Sequence, residues 1–208
     1  KTAAQNAQSY FKKYNKARRT EKKQSQLVIE TQEEIDYLES IAHNLSICTN
    51  EDDILEIREE LTQGAYLKEA AKKEKRKQQH TAAFKPHHFL SSDGFEILVG
   101  RNNNQNDRLT LKTALPNDLW LHTKSIPGSH VIVKAGSQPI SETAVLEAAT
   151  LAAYYSKARS SVNVPVDYCP AKNVRKPTGA KPGMVIYEHY KTVFVTPTEE
   201  KVQAIKKL

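Results

Sequence analysis

Apolar or small residues recur along the first part of the chain at spacings that alternate three and four: Ala7, Tyr10, Tyr14, Ala17, Val28, Ile35, Leu38, Ala42 and Leu45. Glu21, Gln24 and Thr31 interrupt the series. Residues 1–83 hold Gly64 as their one Gly, and no Pro. The pattern predicts one long, imperfect coiled-coil helix, roughly 70 Å in length at about 1.5 Å per residue. It breaks at Thr49-Asn50-Glu51-Asp52, where Thr49 or Asn50 serves as N-cap and acids fill the first turn. A second helix is predicted through Ile54, Ile57, Leu61, Ala65 and Lys68 to about Gln79. Helices joined by a short turn pack antiparallel. Residues 1–83 are therefore read as a coiled-coil hairpin with its turn near 48–52.

From Pro86 the period changes. "HHFLSSDGFEILVG" predicts a β-hairpin around Asp93-Gly94. "LWLHTK" and "HVIVKA" predict two strands around Ile126-Pro127-Gly128-Ser129. "SETAVLEAATLAAYYSKAR" predicts a helix with Ser141 as N-cap and Val145, Ala148, Ala149, Ala152 and Tyr155 on one apolar face. "VPVDYCP" is a strand, and "MVIYEHYKTVFVTP" a hairpin turning near Glu188-His189. The expected fold class is α+β. The hairpin is followed, over 84–208, by a compact mixed domain with a mostly antiparallel sheet and one main helix.

Charge sharpens this picture. The net charge is +7 over 208 residues, which favours polyanionic partners. It is also sorted along the chain. Residues 1–26 carry eight basic side chains, among them Lys12, Lys13, Arg18 and Arg19, against Glu21 alone. Residues 27–62 carry eleven acids, with Glu51, Asp52, Asp53 and Glu56 crowding the predicted turn, against Arg58 alone. Residues 63–85 are basic again, with Lys72, Lys73 and Arg76. Helix stability alone favours mixed signs at i,i+4. The sorting suggests a basic base that meets nucleic acid and an acidic tip, reaching away from the globular domain, that meets a basic protein. The competing reading is a solvated coiled coil. No apolar run approaches the roughly 20 residues of a membrane span. Cys48 and Cys169 form no CxxC, which suits a reducing cytosol. The chain opens at Lys1-Thr2-Ala3 with no initiator Met and no evident cap, as expected of a fragment.

Three stretches carry candidate chemistry. In "VGRNNNQNDRLT", Arg101 and Arg108 flank amides, including Asn103 and Asn106, that both donate and accept; the set suits phosphates and base edges. The alternative is a polar loop satisfying its own turns. In "VRKPTGAKPG" and its approach, Lys172, Arg175, Lys176 and Lys181 can face a phosphate backbone, or simply line a surface loop. In "DLWLHTKSIPGSHVIVKA", Trp120 and His122 share one strand face opposite Leu119 and Leu121. They form either a stacking platform for a base, with Lys124, Ser129 and His130 nearby, or a core Trp with hydrogen-bonded structural His. Metal binding is not expected, because His122 and His130 lack HExxH or paired-Cys support. Nucleophilic catalysis by Ser125 or Ser129 would need a His held by Asp118, and no GxSxG occurs.

Taken in order, "VGRNNNQNDRLT", "DLWLHTKSIPGSHVIV", "EAATLAAYYSKAR", "VPVDY" and "VRKPTGAKPGMVIY" resemble the NFACT-R domain. The hairpin resembles the coiled-coil middle domain of the same family, that of RqcH- and NEMF-type ribosome quality-control factors. Cys169 departs from the Thr expected after "VDY". The resemblance implies a cytoplasmic factor that binds the large ribosomal subunit carrying a stalled peptidyl-tRNA. Such factors recruit aminoacyl-tRNA, tRNA-Ala in bacteria, for template-free alanine tailing. Peptide-bond formation belongs to the ribosome, so no catalytic residue and no cofactor are expected. The resemblance marks the Arg101–Arg108 loop and the Trp120–His130 stretch as RNA-contacting or domain-organising. Bacterial members are also called fibronectin-binding protein A, which leaves a surface adhesin binding fibronectin as the alternative. An RNA-processing enzyme using His122 or His130 is a third.

Overall fold

The structure is a computed structural model and describes residues 2–68, 85–136 and 138–208. The chain divides into two compact units, Lys1–Leu38 and Glu39–Leu208. Helix α1 (Ala3–Ser46) starts with a reciprocal cap that the sequence reading missed. The Gln5 amide donates to Thr2 Oγ1 at 3.3 Å, and Thr2 N donates to Gln5 Oε1 at 3.0 Å, satisfying two donors of the first turn. Helix α2 (Glu51–Gln63) starts as expected, with Asn50 Oδ1 accepting from the Asp53 amide at 2.9 Å and three acids in its first turn.

The predicted continuation of that helix through Ala65 and Lys68 does not occur. Gly64 caps α2, and Ala65 takes a left-handed φ of +62°. The Tyr66 amide then donates back to the Leu61 carbonyl at 2.9 Å, closing the helix end in the manner of a C-terminal capping turn. The rest of the predicted helix, to Gln79, lies outside the described residues.

In the second unit, strands β1 (His87–Leu90), β2 (Glu96–Val99), β3 (Leu119–Thr123), β4 (Val131–Val133), β5 (Val164–Pro170), β8 (Lys191–Val195) and β9 (Lys206–Lys207) form one sheet in the order β8-β5-β3-β4-β2-β1-β9. Every pairing in it is antiparallel. The β1–β2 hairpin closes through the Ser91 amide donating to the Phe95 carbonyl, with Gly94 at φ +90°. Helix α4 (Glu142–Tyr154) has Ser141 as its N-cap, accepting from the Ala144 amide. It ends five residues short of Arg159, the end of the predicted helix.

Strand alternation divides the molecule's interior. Leu121, Val131, Val133 and Val166 face one way and pack with Ala148 and Leu151 of α4. Trp120, Ile132 and Cys169 face the other way and pack with Leu109 and Val174.

Two expectations for this unit are corrected. Asn103–Arg108 is not a loop but a short helix, α3, capped by Asn102 Oδ1 accepting from the Gln105 amide and continued by a π turn to Thr113. Residues 184–197 are not a hairpin. Strand β7 (Ile186–Tyr187) pairs with β6 (Val174–Arg175), whereas β8 pairs with β5. Glu188-His189, with His189 at φ +52°, is the crossing between two sheets. A short helix α5 (Glu199–Ala204) leads into β9, and neither was predicted.

Candidate nucleic-acid interface

The amide run is spent inside the fold. Arg101 Nη2 meets Asp53 Oδ2 at 2.5 Å, and Asn102 Nδ2 donates to Glu56. Gln105 Nε2 donates to the same Glu56 oxygen at 2.9 Å. Asn103 Nδ2 donates to Ser40 Oγ at 2.9 Å and Glu60 Oε1 at 3.1 Å, while its Oδ1 accepts from Asn44 Nδ2 at 3.2 Å. Asn106 Oδ1 accepts from the His130 amide at 3.0 Å. Asn102, Asn103, Gln105 and Asn106 are all buried. Buried polar groups persist where each finds partners, and here α2 and the end of α1 supply them.

Arg101, Asn103 and Asn106 therefore do not form the RNA-facing set expected of them; they dock α3 on α2. Arg108 is exposed. The same contacts correct the acidic tip. Asp53 is 4% exposed and Glu56 is bonded to α3, so neither reaches away from the globular part. Glu51 and Asp52 are exposed.

The Trp–His stretch also turns inward. Trp120 is 0% exposed. Its ring lies 5.9 Å from His122 in a near-parallel stack, 5.2 Å from His130 edge-on and 4.7 Å from Tyr187. The face-sharing of Trp120 and His122 holds, but as core rather than as an open platform. His130 Nδ1 is 2.8 Å from Thr110 Oγ1, and Ser129 is buried. Burial lowers the His122 pKa to about 4. It holds that of His130 well below the usual imidazole value, with the neighbouring His122 adding to the effect. Both rings are neutral near pH 7, and a neutral imidazole, buried at His130 and half-buried at His122, offers no charge to a phosphate.

The basic loop divides. Lys176 pairs with Asp107, whose other oxygen accepts from the Gly183 amide at 3.0 Å. Lys181 bonds the Tyr66 hydroxyl and lies 4.7 Å from that ring's centre. These two lysines tether the loop. Lys172 and Arg175 are exposed, Arg175 in a 3.1 Å surface pair with Glu188. Lys124 is half-exposed, 3.8 Å from Asp167 and 5.0 Å from the centre of the Tyr190 ring. On α1, Lys12, Lys13, Arg18 and Arg19 are exposed. Lys72, Lys73 and Arg76 lie outside the described residues.

Sequence reasoning missed Asp167, Tyr187, Tyr190 and Phe194. Asp167 is fully buried and accepts from Tyr187 Oη at 2.9 Å and from Thr192 Oγ1 at 2.6 Å. Burial, with the hydrogen bond to that carboxylate and its charge added, raises the Tyr187 hydroxyl above the ordinary tyrosine range. The available signal was the alternation Thr192-Phe194, which places two side chains on one face of β8, with Tyr190 just before the strand.

Comparison with known proteins fits this architecture. Residues 1–80 match the family described as NFACT N-terminal and middle domains, and residues 85–189 match the NFACT protein RNA binding domain. The Rqc2 homolog RqcH of Bacillus subtilis (strain 168) is 46% identical over 212 residues, covering 100% of this chain and 36% of that protein. The RqcH of Streptococcus suis (strain 05ZYH33) is 47% identical over 206 residues, covering 99% and 36%. Coiled-coil domain-containing protein 25 of Bos taurus is 26% identical over 56% of this chain and 58% of its own. The solved C-terminal part of the fibronectin/fibrinogen-binding protein from Streptococcus suis superposes with a TM-score of 0.86 at 46% identity, over 99% of this chain and 80% of that one. The chain thus spans about a third of the length of the curated bacterial relatives it matches. Both matched segments, in chain order and separated at the break in composition, place it in one family: this chain belongs to the NFACT family.

Proposed function

We propose that this chain is the C-terminal part of a cytoplasmic ribosome quality-control factor, one that binds the stalled large subunit through rRNA and tRNA. In this reading it supports template-free alanine tailing with tRNA-Ala. The observation that carries the reading is the likeness to RqcH over the whole chain, joined to an RNA-binding family match over 85–189. The chain contributes binding rather than a reacting group, since the ribosome makes the peptide bond. Its exposed cations at Lys12, Lys13, Arg18, Arg19, Arg108, Lys172 and Arg175 are suited to phosphates. Each phosphate neutralised on single-stranded RNA adds ~0.7 to the slope of log affinity against log salt. Salt titration of RNA binding by filter retention should show that loss, and the full-length protein should sediment with free large subunits. Salt-independent binding and absence from the subunit fraction would count against the reading.

The acidic contact with a basic ribosomal protein narrows to Glu51 and Asp52, because Asp53 and Glu56 are engaged within the fold. A Glu51→Lys/Asp52→Lys protein should pellet less with large subunits yet bind free tRNA at least as well as before. Unchanged pelleting would show that these acids only solvate the turn. The fibronectin reading has the name of the solved streptococcal relative behind it. Retention of the chain on immobilised fibronectin at physiological salt would favour it.

A further inference from the structure

Along the edge strand β8 and the residue just before it, an aromatic strip stands open beside the buried Trp120 cluster. Tyr190 is 44% exposed and Phe194 60% exposed. The Tyr190 ring stands edge-on to Tyr187 at 5.2 Å, and Lys124 Nζ lies 5.0 Å from its centre. Thr192 bonds Asp167, so its side chain faces that same side of the sheet. Phe194 is two residues further on, hence on the same face, opposite Pro165 of β5. Tyr190 lies one residue before β8, four positions ahead of Phe194.

Asp167 organises this strip from below. It is fully buried and holds Tyr187 Oη, Thr192 Oγ1 and, at 3.8 Å, Lys124. Tyr187 in turn supports Tyr190. On this face Lys124 is held by the buried Asp167, and the exposed Lys191 stands on the opposite face of β8, across from Tyr168. The strip is therefore poorly suited to clamp phosphates, and its distinctive offering is the exposed Phe194 ring together with the part of the Tyr190 ring that Lys124 leaves open.

The geometry points to Tyr190 and Phe194 as a stacking site for unpaired RNA bases, with Asp167 and Tyr187 as positioning residues. The inference rests on the RNA-binding reading above and deepens it, from polyanion binding to a preference for single-stranded segments. Bases inside an A-form duplex present no open face to such rings, whereas splayed bases in loops and ends stack on them without regard to sequence.

The test is fluorescence anisotropy of the full chain with a labelled oligouridine RNA and, separately, a blunt RNA duplex. Phe194→Ala and Tyr190→Ala should each weaken oligouridine binding about tenfold, the loss typical of one base–aromatic stack. Duplex affinity should stay unchanged. Phe194→Trp should bind as tightly as the parent or tighter, and Phe194→Leu as poorly as Phe194→Ala. Phe194 is exposed on an edge strand, so its variants should melt like the parent, which keeps the test valid if Tyr190→Ala disturbs Tyr187. A Phe194→Leu protein with parental affinity would overturn the stacking site and indicate plain apolar contact, as with a protein partner. Equal losses on oligouridine and duplex, or no loss on either, would overturn it while leaving RNA binding intact. A parent chain that binds neither RNA would overturn both readings.

Discussion

Lowering the pH from about 7.5 to about 5 should cost the second unit about 4 kcal/mol of stability through His87 and His122 alone. Both imidazoles have pKa values near 4 in the folded chain, with burial as the main cause; at His87 the nearby Arg101 and Lys207 charges add to it. In the unfolded chain they protonate near 6.5. Between those values the unfolded state binds more protons than the folded one, so stability falls as the pH falls. It is fully present above about pH 6.5 and drains away toward pH 4. His43 and His130, also lowered by burial, push in the same direction. Carboxylates enter only further down, because ordinary Asp and Glu remain ionised until near pH 4. Urea unfolding at a series of pH values would display the slope. The His87→Phe variant should flatten it by about 2 kcal/mol. That ring stacks on Tyr155 at 4.8 Å, an arrangement that Phe can keep. Stability independent of pH over this window would mean that these rings reach water.

The parts of the fold that were legible in the sequence are those whose signal is local. Alternation in "LWLHTK" and "HVIVKA" located β3 and β4 and assigned Trp120 and Leu121 to opposite faces, as found. Ser141 was readable as a cap, and the α2 cap as Thr49 or Asn50, because an N-cap bonds an amide only three residues away; the structure selects Asn50. The end of α2 was not readable. A polar helical period runs on through Ala65 and Lys68, whereas the stop is a single left-handed residue after Gly64. The β7–β8 region misled for a related reason. Glu188-His189 looks like a hairpin turn, but the partner of β7 is β6, held over the Trp120 cluster by Val174 and Tyr187.

The site was less legible because its chemistry depends on pairs distant in sequence. Asn102, Asn103 and Gln105 look like surface residues until Glu56 and Glu60 are brought against them. The same carboxylates look like a solvent-facing acidic tip until α3 takes them up. Each half of the network suggested an outside polar partner, RNA for the amides and a basic protein for the acids. In the structure the two halves satisfy one another. Lys176 and Lys181 repeat the pattern, read as phosphate contacts and found on Asp107 and Tyr66.

That mutual satisfaction makes Arg101→Ala the most damaging single change expected at the α2–α3 contact, at about 3–5 kcal/mol. The Asp53 side chain is 6% exposed and meets Arg101 Nη2 at 2.5 Å. Removing the guanidinium leaves a charged carboxylate that water cannot readily reach. The reverse change is milder. Arg101 is 16% exposed on its side chain and long enough to swing its head into solvent once Asp53 is gone. Asp53→Ala should therefore cost only about 1–2 kcal/mol. The Asn50 cap does not decide between them, because it bonds the residue-53 amide rather than the carboxylate. A double-mutant cycle in urea should return a coupling of about 1–3 kcal/mol, since the second deletion removes the group stranded by the first. Limited proteolysis supplies an independent readout: cleavage between residues 47 and 68 should accelerate in Arg101→Ala before the rest of the unit opens. Equal costs for the two single changes would mean that solvent reaches both partners and that the pair is a surface contact. Additive costs with no coupling would mean that the amides of α3, rather than this ion pair, hold α2 in place.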